Sequence, residues 1–321
     1  MMAGSNVPWR MTGGLLLVLV LGAGCAQQSE KDPGRFPVVS SEKDLVLPLD
    51  AYDLDAQGRS VVQTARYKLI ARCLARYHFK MKPHDTSPVN YPRNAAYLGW
   101  LGARDVSRYG YIGPPEQQAG IAAALDGIRG YQIPPSYEPI FTGSISEYKG
   151  MKVPKNGCDG EAQSILNGNT PGPDNTTPAA PSAYKNLYSF MEDAATAGYA
   201  DDRVELAEEL WSRCMKDAGF QYRRTWEAET DKRWTKRGEV SPGGTPAGPG
   251  PDEIRTATAD ERCRLKVNYS GIRLAAYADS QRAIISRNKP AIERLKTLIR
   301  VRYENSLKVL NGNFPELPSS R

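Results

Sequence analysis

Histidine is scarce in this chain of 321 residues, and only His78 and His84 could act as side-chain bases near neutral pH. No Cys-x-x-Cys pair is present, so a zinc cluster of closely spaced cysteines and histidines is not expected. The Gly-x-Ser-x-Gly signature of an activated serine is also missing. We therefore expect no metal, no cofactor and no catalytic site of a recognisable kind.

Charged side chains are nearly absent from the first 24 residues, where Arg10 is the only one. The apolar run Leu15–Leu21 is at the short end for the core of a signal peptide and far too short to span a bilayer. Three small residues, Gly22–Gly24, then precede Cys25. This arrangement resembles the lipobox of bacterial lipoproteins, although Gly22 stands where a leucine is usual.

That resemblance implies a signal peptide over residues 1–24 and a lipid, with palmitate among its acyl chains, on Cys25. The mature chain would then be anchored to the extracytoplasmic face of the cell membrane. Plain secretion and an uncleaved anchor are the alternatives, and the single Arg10 argues against a twin-arginine signal.

Four cysteines remain once Cys25 is set aside, and an even number is typical of exported proteins with disulfides. The sequence that begins at Cys73 is repeated at Cys214, because each copy reads Cys-[Leu/Met]-x4-Phe at the end of an amphipathic helix. His78 in the first copy, or Gly219 in the second, suits a left-handed cap before the phenylalanine. Each copy has one later cysteine, so the repeat order predicts two pairs, and a chance match of a short motif is the alternative. The predicted pairs are Cys73–Cys158 and Cys214–Cys263.

Helical periodicity dominates the chain, and no convincing alternating strand pattern is present, so we predict a mainly α fold stapled by disulfides. The segment Tyr91–Tyr148, rich in tyrosine, glycine and proline, is predicted to be irregular around one helix, Glu116–Ile128. Pro290 should kink or split the long C-terminal helix. The other predicted helices run from Ser60 past Cys73, from Ser182 to Ala197, from the Asp201–Asp202 cap to Gly219, and from Thr258 to Leu310.

Proline and glycine density divides the chain, because these residues interrupt regular secondary structure. Residues 241–252 are expected to form a loop for this reason. The predicted organisation is a signal peptide (1–24), a lipidated flexible tether (25–45), a first helical unit (46–167), a linker (168–182) and a second helical unit (183–321).

Three further motifs accompany the paired cysteine helices: Leu47–Tyr52 (LPLDAY), Gly157–Ala162 (GCDGEA) and Trp211–Met215 (WSRCM). In combination they resemble a family of uncharacterised secreted lipoproteins of high-GC actinobacteria, over most of the mature chain. The resemblance implies the lipid anchor and the disulfides, and it brings no established activity with it.

Two groups of carboxylates admit both a functional and a structural interpretation. The segment Asp53–Gly58 begins like a calcium loop, but Thr64 stands where a bidentate glutamate is required, so a polar turn that caps the next helix is the better interpretation. Asp159 and Glu161 could form a pair for glycoside hydrolysis. The first turn of a helix, where negative charge meets the helix dipole, explains them better.

Between Arg262 and Lys308 there are twelve Lys or Arg residues against three Asp or Glu residues, a local excess of +9. Such a helix could bind anionic lipid or an anionic wall polymer. We expect Arg287, Arg294 and Lys308 to take part, with a solvated outer face as the alternative. The tyrosine rings of the irregular segment could stack on sugars, or more simply pack against the helices.

These patterns favour a membrane-anchored lipoprotein that acts as a non-catalytic binding or interaction module of the cell envelope. Its expected partners are the membrane, an anionic wall polymer or an envelope protein. Nucleic acid is not expected, because the net charge of +6 is mild and no binding motif accompanies it. The alternative function is an envelope hydrolase with an unfamiliar site near His84 and the tyrosine-rich segment.

Overall fold

Helices make up most of the regular structure in the part of the chain that the computed structural model describes. The described residues are 36–82, 84–88, 91–115, 117–118, 133–169, 172–173, 186–235 and 248–314. The predicted signal peptide, Cys25, the Ser182 cap and most of the predicted helix 116–128 lie outside them. The prediction of a mainly α fold is confirmed.

The helices vary from single turns to six turns. A two-stranded antiparallel hairpin, β1 (Glu147–Tyr148) and β2 (Met151–Lys152), pairs Glu147 with Lys152. Short 3-10 helices lie at Glu42–Asp44, Pro48–Tyr52 and Gly110–Ile112. The α-helices are α1 (Ala56–Ala75), α2 (Ala95–Leu98), α3 (Val106–Tyr109), α4 (Glu138–Thr142), α5 (Gly157–Leu166), α6 (Leu187–Tyr199), α7 (Asp202–Asp217), α8 (Thr225–Glu229), α9 (Lys232–Thr235), α10 (Pro251–Lys266), α11 (Tyr269–Arg287) and α12 (Lys289–Leu310).

The acidic turn before α1 is a helix cap, as its structural interpretation predicts. The side chain of Asp55 accepts a hydrogen bond of 2.7 Å from the backbone N–H of Gly58, which satisfies a donor at the helix N-terminus. Asp53 pairs with Arg93 at 2.5 Å instead of contributing to a cation site. The helix begins at Ala56, four residues earlier than the apolar spacing from Ser60 indicated.

The two repeated cysteine helices, α1 and α7, end in the same way. His78 and Gly219 both adopt left-handed backbone conformations, with φ of 64° and 91°. The N–H of Phe79 then bonds to the carbonyl of Leu74 (3.2 Å), and the N–H that follows Gly219 makes the equivalent bond (2.9 Å). The predicted caps are confirmed. The repeat is confined to these helix ends, because Cys158 lies in the first turn of α5 whereas Cys263 lies in the last turn of α10.

The long C-terminal helix predicted from Thr258 to Leu310 is divided into three helices. α10 ends at Lys266, and Asn268 has a left-handed φ of 52° before α11 begins. A single left-handed residue interrupts the helix without disturbing the apolar spacing, so periodicity alone did not reveal this break. Pro290 lies in the first turn of α12 and marks the second division, as predicted. α12 has 22 residues and is the expected long C-terminal helix.

The predicted flexible tether, 25–45, is too long at its C-terminal end. Val39 and Leu45 are only 4% and 5% exposed, and both pack in the same apolar cluster. Between them, Asp44 accepts hydrogen bonds from the backbone N–H groups of Ser40 and Ser41, at 2.9 and 2.8 Å. The packed part of the chain therefore begins before the motif Leu47–Tyr52.

The apolar cores join segments that are far apart in the sequence. One core combines α1, α4 and α5 with Val309 of α12. A second combines Leu101, Val106 and Tyr111 with α7, α10 and α11. Residues before the predicted linker 168–182 therefore pack against residues after it. Most of the linker itself lies outside the described residues. The described residues all belong to one compact unit, Asp32–Arg321. Within the described ranges, no helix is both long and apolar enough to cross a membrane.

Candidate functional site

Both predicted disulfides are present. Cys73 is bonded to Cys158 with a Cα–Cα distance of 5.5 Å, and Cys214 is bonded to Cys263 at 5.7 Å. The bridges link positions 85 and 49 residues apart, so each is expected to stabilise the fold by about 4 kcal/mol through the entropy of the unfolded chain. The prediction from repeat order is confirmed, although the second halves of the two pairs lie at opposite ends of their helices.

Asp159 and Glu161 form ion pairs with arginines of α1. Asp159 accepts from Arg66 at 2.7 Å, and Glu161 accepts from Arg76 at 2.5 Å. Arg76 also donates to the Sγ atom of Cys73 at 2.8 Å, so these pairs lie beside the first disulfide. The two carboxylates link α5 to α1. Asp159 lies in the first turn of α5, as its structural interpretation predicts, whereas Glu161 lies just beyond that turn.

The two histidines lie at the end of α1 and in the segment that follows it. His78 is the left-handed cap of α1. The ring of His84 lies 5.6 Å from the ring of Tyr67, measured between centroids. Two tyrosines of the irregular segment are engaged in packing: Tyr137 stacks on Phe79 at 4.2 Å, and Tyr111 is buried. These two rings therefore contribute to packing, which agrees with the simpler interpretation of the segment.

A network of buried charges, which the sequence did not predict, lies between α7, α10 and α11. At its centre is Asp260, which is completely buried and accepts four hydrogen bonds. Its Oδ1 atom accepts from Trp211 (2.8 Å) and from the Nε of Arg264 (2.7 Å), and its Oδ2 atom accepts from Tyr111 (3.0 Å) and from Nη2 of Arg264 (3.0 Å). Burial raises the pKa of the Asp260 carboxyl, and the contact with Arg264 opposes that shift.

Arg264 carries the network outward to the irregular segment. Its guanidinium donates to Glu229 and to the backbone carbonyl of Gly99, both at 2.8 Å. Glu229 also pairs with Arg104 at 3.4 Å. Burial acts to raise the pKa of Glu229, but Arg264 and Arg104 together hold it below its usual value.

A second branch surrounds Glu208 of α7. Its carboxylate accepts from the hydroxyl of Tyr269 (2.6 Å) and from the N–H and hydroxyl of Thr225 (2.9 and 3.0 Å). Arg273 donates in turn to the hydroxyls of Tyr269 and Tyr277, at 2.8 and 2.9 Å. Each carboxylate of the network already has its donors, so the chemistry of this region is to fix helices in place. The spacing Asp260-x3-Arg264, one helical turn, is the sequence signal that could have identified it.

A crevice opens above Arg264 at the break between α10 and α11. Its lining includes Val38, Trp100, Glu261, Leu265 and Asn268. Burial, together with two nearby carboxylates, raises the pKa of Glu261. The N-terminal segment, residues 36–48, also borders an apolar groove, whose lining includes Pro37, Val46, Pro48, Ala275, Ala278 and Arg282.

The three residues predicted to bind an anionic surface are all exposed, but they do not form one close cluster. Arg287 ends α11, whereas Arg294 and Lys308 lie on α12. The last two are fourteen positions apart in the sequence, which corresponds to about 21 Å along the helix. Glu293 and Glu304 are exposed on the same helix.

Packing also reduces the basic excess that the sequence shows between Arg262 and Lys308. Arg264 and Arg273 are buried, and Arg302 donates to Gln163 at 2.6 Å. The exposed basic residues of this stretch are Arg262, Lys266, Arg282, Arg287, Lys289, Arg294, Lys296, Arg300 and Lys308, against exposed Asp279, Glu293 and Glu304. The exposed side chains therefore remain predominantly basic.

The described part of the chain contains no group of three or more His, Cys, Asp or Glu side chains arranged to hold a metal ion. No protein-family model, curated protein or solved structure matches the chain.

Proposed function

We propose that this protein is a lipid-anchored extracytoplasmic module that binds a partner in the cell envelope without catalysing a reaction. Export is supported by the two disulfides, since such bonds persist in oxidising compartments. Anchoring is supported by the Gly-Ala-Gly-Cys sequence that ends at Cys25.

The observation that carries the binding role is that the two central buried carboxylates already have their hydrogen-bond donors. Asp260 accepts four hydrogen bonds, and Glu208 accepts three. A carboxylate whose oxygens are already occupied by fixed donors serves to hold shape, because proton exchange with a substrate would require breaking those bonds. The interior charges thus stabilise a rigid scaffold, and function is assigned to its surface.

The partner that suits this surface best is an anionic polymer or lipid of the envelope. The exposed side chains from Arg262 to Lys308 are mostly basic, and Arg287, Arg294 and Lys308 lie among them. Near an anionic surface each basic residue contributes about 1 kcal/mol, so three would strengthen binding about a hundredfold at low salt. The effect should weaken as salt is added, since the Debye length is about 10 Å at 0.1 M.

The test is a binding series with a chain of residues 26–321, which lacks the acylated cysteine and retains the compact unit. Binding to purified cell wall and to anionic vesicles would be measured at increasing salt. The test variant is Arg287→Gln/Arg294→Gln/Lys308→Gln. The control makes the same change of charge on another exposed surface, in Arg213→Gln/Lys216→Gln/Arg223→Gln. Loss in the test variant alone supports the proposal. Equal binding by both variants, or no binding at low salt, would refute it.

A further inference from the structure

The N-terminal segment crosses the start of α11 at one tightly packed point. Asn268 donates a hydrogen bond of 3.2 Å from its side-chain amide to the carbonyl of Pro37. A Cβ atom on Gly271 would lie only 1.8 Å from that same carbonyl oxygen, so the close approach depends on a glycine. This crossing fixes the position of Pro37 relative to the start of α11.

Exposed aliphatic side chains gather around this crossing. Val38 is 73% exposed and Leu265 is 63% exposed, and both line the crevice beside the segment. Val46 is 64% exposed and lines the groove on the other side, together with Pro37. Large exposed aliphatic residues that cluster at one place indicate a surface that contacts a partner or a membrane when the protein functions.

Basic residues flank these side chains. Lys266 is exposed in the last turn of α10, and Arg262 is exposed just before that turn, three residues from Leu265. Arg282 lines the groove that contains Val46. We name the set the N-terminal surface; its members are Val38, Val46, Arg262, Leu265, Lys266 and Arg282. Glu261 and Asp50 also line these two recesses, and Arg282 pairs with Asp279 at 2.8 Å. The charged residues of the N-terminal surface itself are all basic, and exposed aliphatic groups beside cations match the interface of a phospholipid bilayer, where acyl chains lie beneath phosphate groups.

We propose that the N-terminal surface contacts the phospholipid bilayer directly, so that the folded protein lies against the membrane and is not only tethered to it by the lipid. This inference rests on the proposed lipid anchor. Cys25 precedes Phe36 by eleven residues, which span at most about 39 Å even when fully extended. The anchor therefore keeps this end of the described chain within reach of the bilayer, and the surface nearest that end is the one with exposed aliphatic groups.

The first test uses residues 26–321 without any lipid, floated with vesicles of neutral phosphatidylcholine. The test variant is Val38→Asp/Leu265→Asp, and the control is Tyr188→Asp/Trp226→Asp, which adds the same charge at residues 62% and 55% exposed. Transferring one aliphatic side chain out of water favours association about tenfold, so the test variant should partition at least tenfold less than the unaltered chain. The control should partition within about twofold of it, and thermal unfolding would verify that both variants are folded.

The second test uses the lipid-anchored chain in vesicles that contain brominated phosphatidylcholine, which quenches tryptophan fluorescence at the bilayer. Trp100 lines the crevice of the N-terminal surface, whereas Trp226 is exposed elsewhere. Quenching should be lost in Trp100→Phe and retained in Trp226→Phe. The reverse pattern, or quenching that neither variant changes, would overturn the proposal.

The outcomes distinguish contact of the N-terminal surface with the bilayer from attachment through a lipid on Cys25. If the native protein proves to carry no lipid while residues 26–321 still partition through Val38 and Leu265, the anchor is refuted and the membrane contact of the N-terminal surface stands. A lipid-free chain whose partitioning is unchanged by Val38→Asp/Leu265→Asp would refute the membrane contact of the N-terminal surface. A dimer in sedimentation that the same variant dissociates would assign the surface to a second copy of this chain, and that result would also overturn the proposal.

Discussion

Replacing Asp260 by asparagine should destabilise the protein far more than the same substitution at an exposed aspartate of the same helix. The substitution keeps the shape of the side chain, but it removes the negative charge that Arg264 contacts through two hydrogen bonds of 2.7 and 3.0 Å. Arg264 is 4% exposed, so water cannot replace the lost partner, and Glu229 alone would remain to balance its charge. Removing one member of a buried ion pair costs about 3–5 kcal/mol.

Urea unfolding would measure this loss, with Asp252→Asn as the matched control. Asp252 lies in the first turn of the same helix and pairs with Arg255, but both side chains are more than 60% exposed. Exposed pairs contribute up to about 1 kcal/mol, so the control should change the free energy of unfolding by no more than that.

A double variant sharpens the same prediction. In Asp260→Asn/Arg264→Met the unpaired cation is absent, so the loss should be smaller than the sum of the two single losses by about 2 kcal/mol. A single Asp260→Asn variant as stable as the Asp252→Asn control, or strict additivity in the double variant, would refute the role assigned to the buried network.

Three further predictions follow from local geometry. Replacing both cysteines of the Cys73–Cys158 bridge by serine should lower the free energy of unfolding by about 4 kcal/mol in urea, whereas an unchanged value would contradict a stabilising bridge. Hydrogen bonds from Arg233 lower the pKa of Asp231 from 3.8 to about 2, so its stabilisation is present above pH 4 and lost as pH falls toward 2. At neutral pH the free energy of unfolding of Asp231→Asn should be lower than that of the unaltered chain by about 1 kcal/mol, after allowance for solvent screening. An acid titration should show this difference vanish at low pH, and a difference that stays constant with pH would contradict the assigned cause. Gly271→Ala should destabilise by about 1–3 kcal/mol and speed hydrogen exchange in the N-terminal segment, and unaltered exchange there would contradict the close crossing.

The features that the sequence predicted are those encoded locally. Gly219 and His78 mark helix ends because each must adopt a left-handed conformation before a phenylalanine, and the structure shows both. The disulfide pairing followed from the order of those repeated ends. Asp159 could be assigned to a helix start from its position alone, and its partner Arg66 agrees with that assignment.

The features that escaped prediction depend on contacts between distant segments. Asp260 appears as an ordinary polar residue of an exposed helix until Trp211 and Tyr111, 49 and 149 residues away, surround it. The burial of Val39 likewise depends on α11, which begins more than two hundred residues later. The break at Asn268 left the apolar spacing intact, because one left-handed residue changes the direction of a helix without changing the sequence pattern around it.

The measurement that tests the central claim most directly is the intact mass of the protein isolated from its native membrane. A lipid-anchored exported module predicts a chain that begins at Cys25, carries a diacylglycerol adduct on that residue, and shows the mass deficit of two disulfides. A soluble product that begins at another residue and carries no lipid would contradict the account.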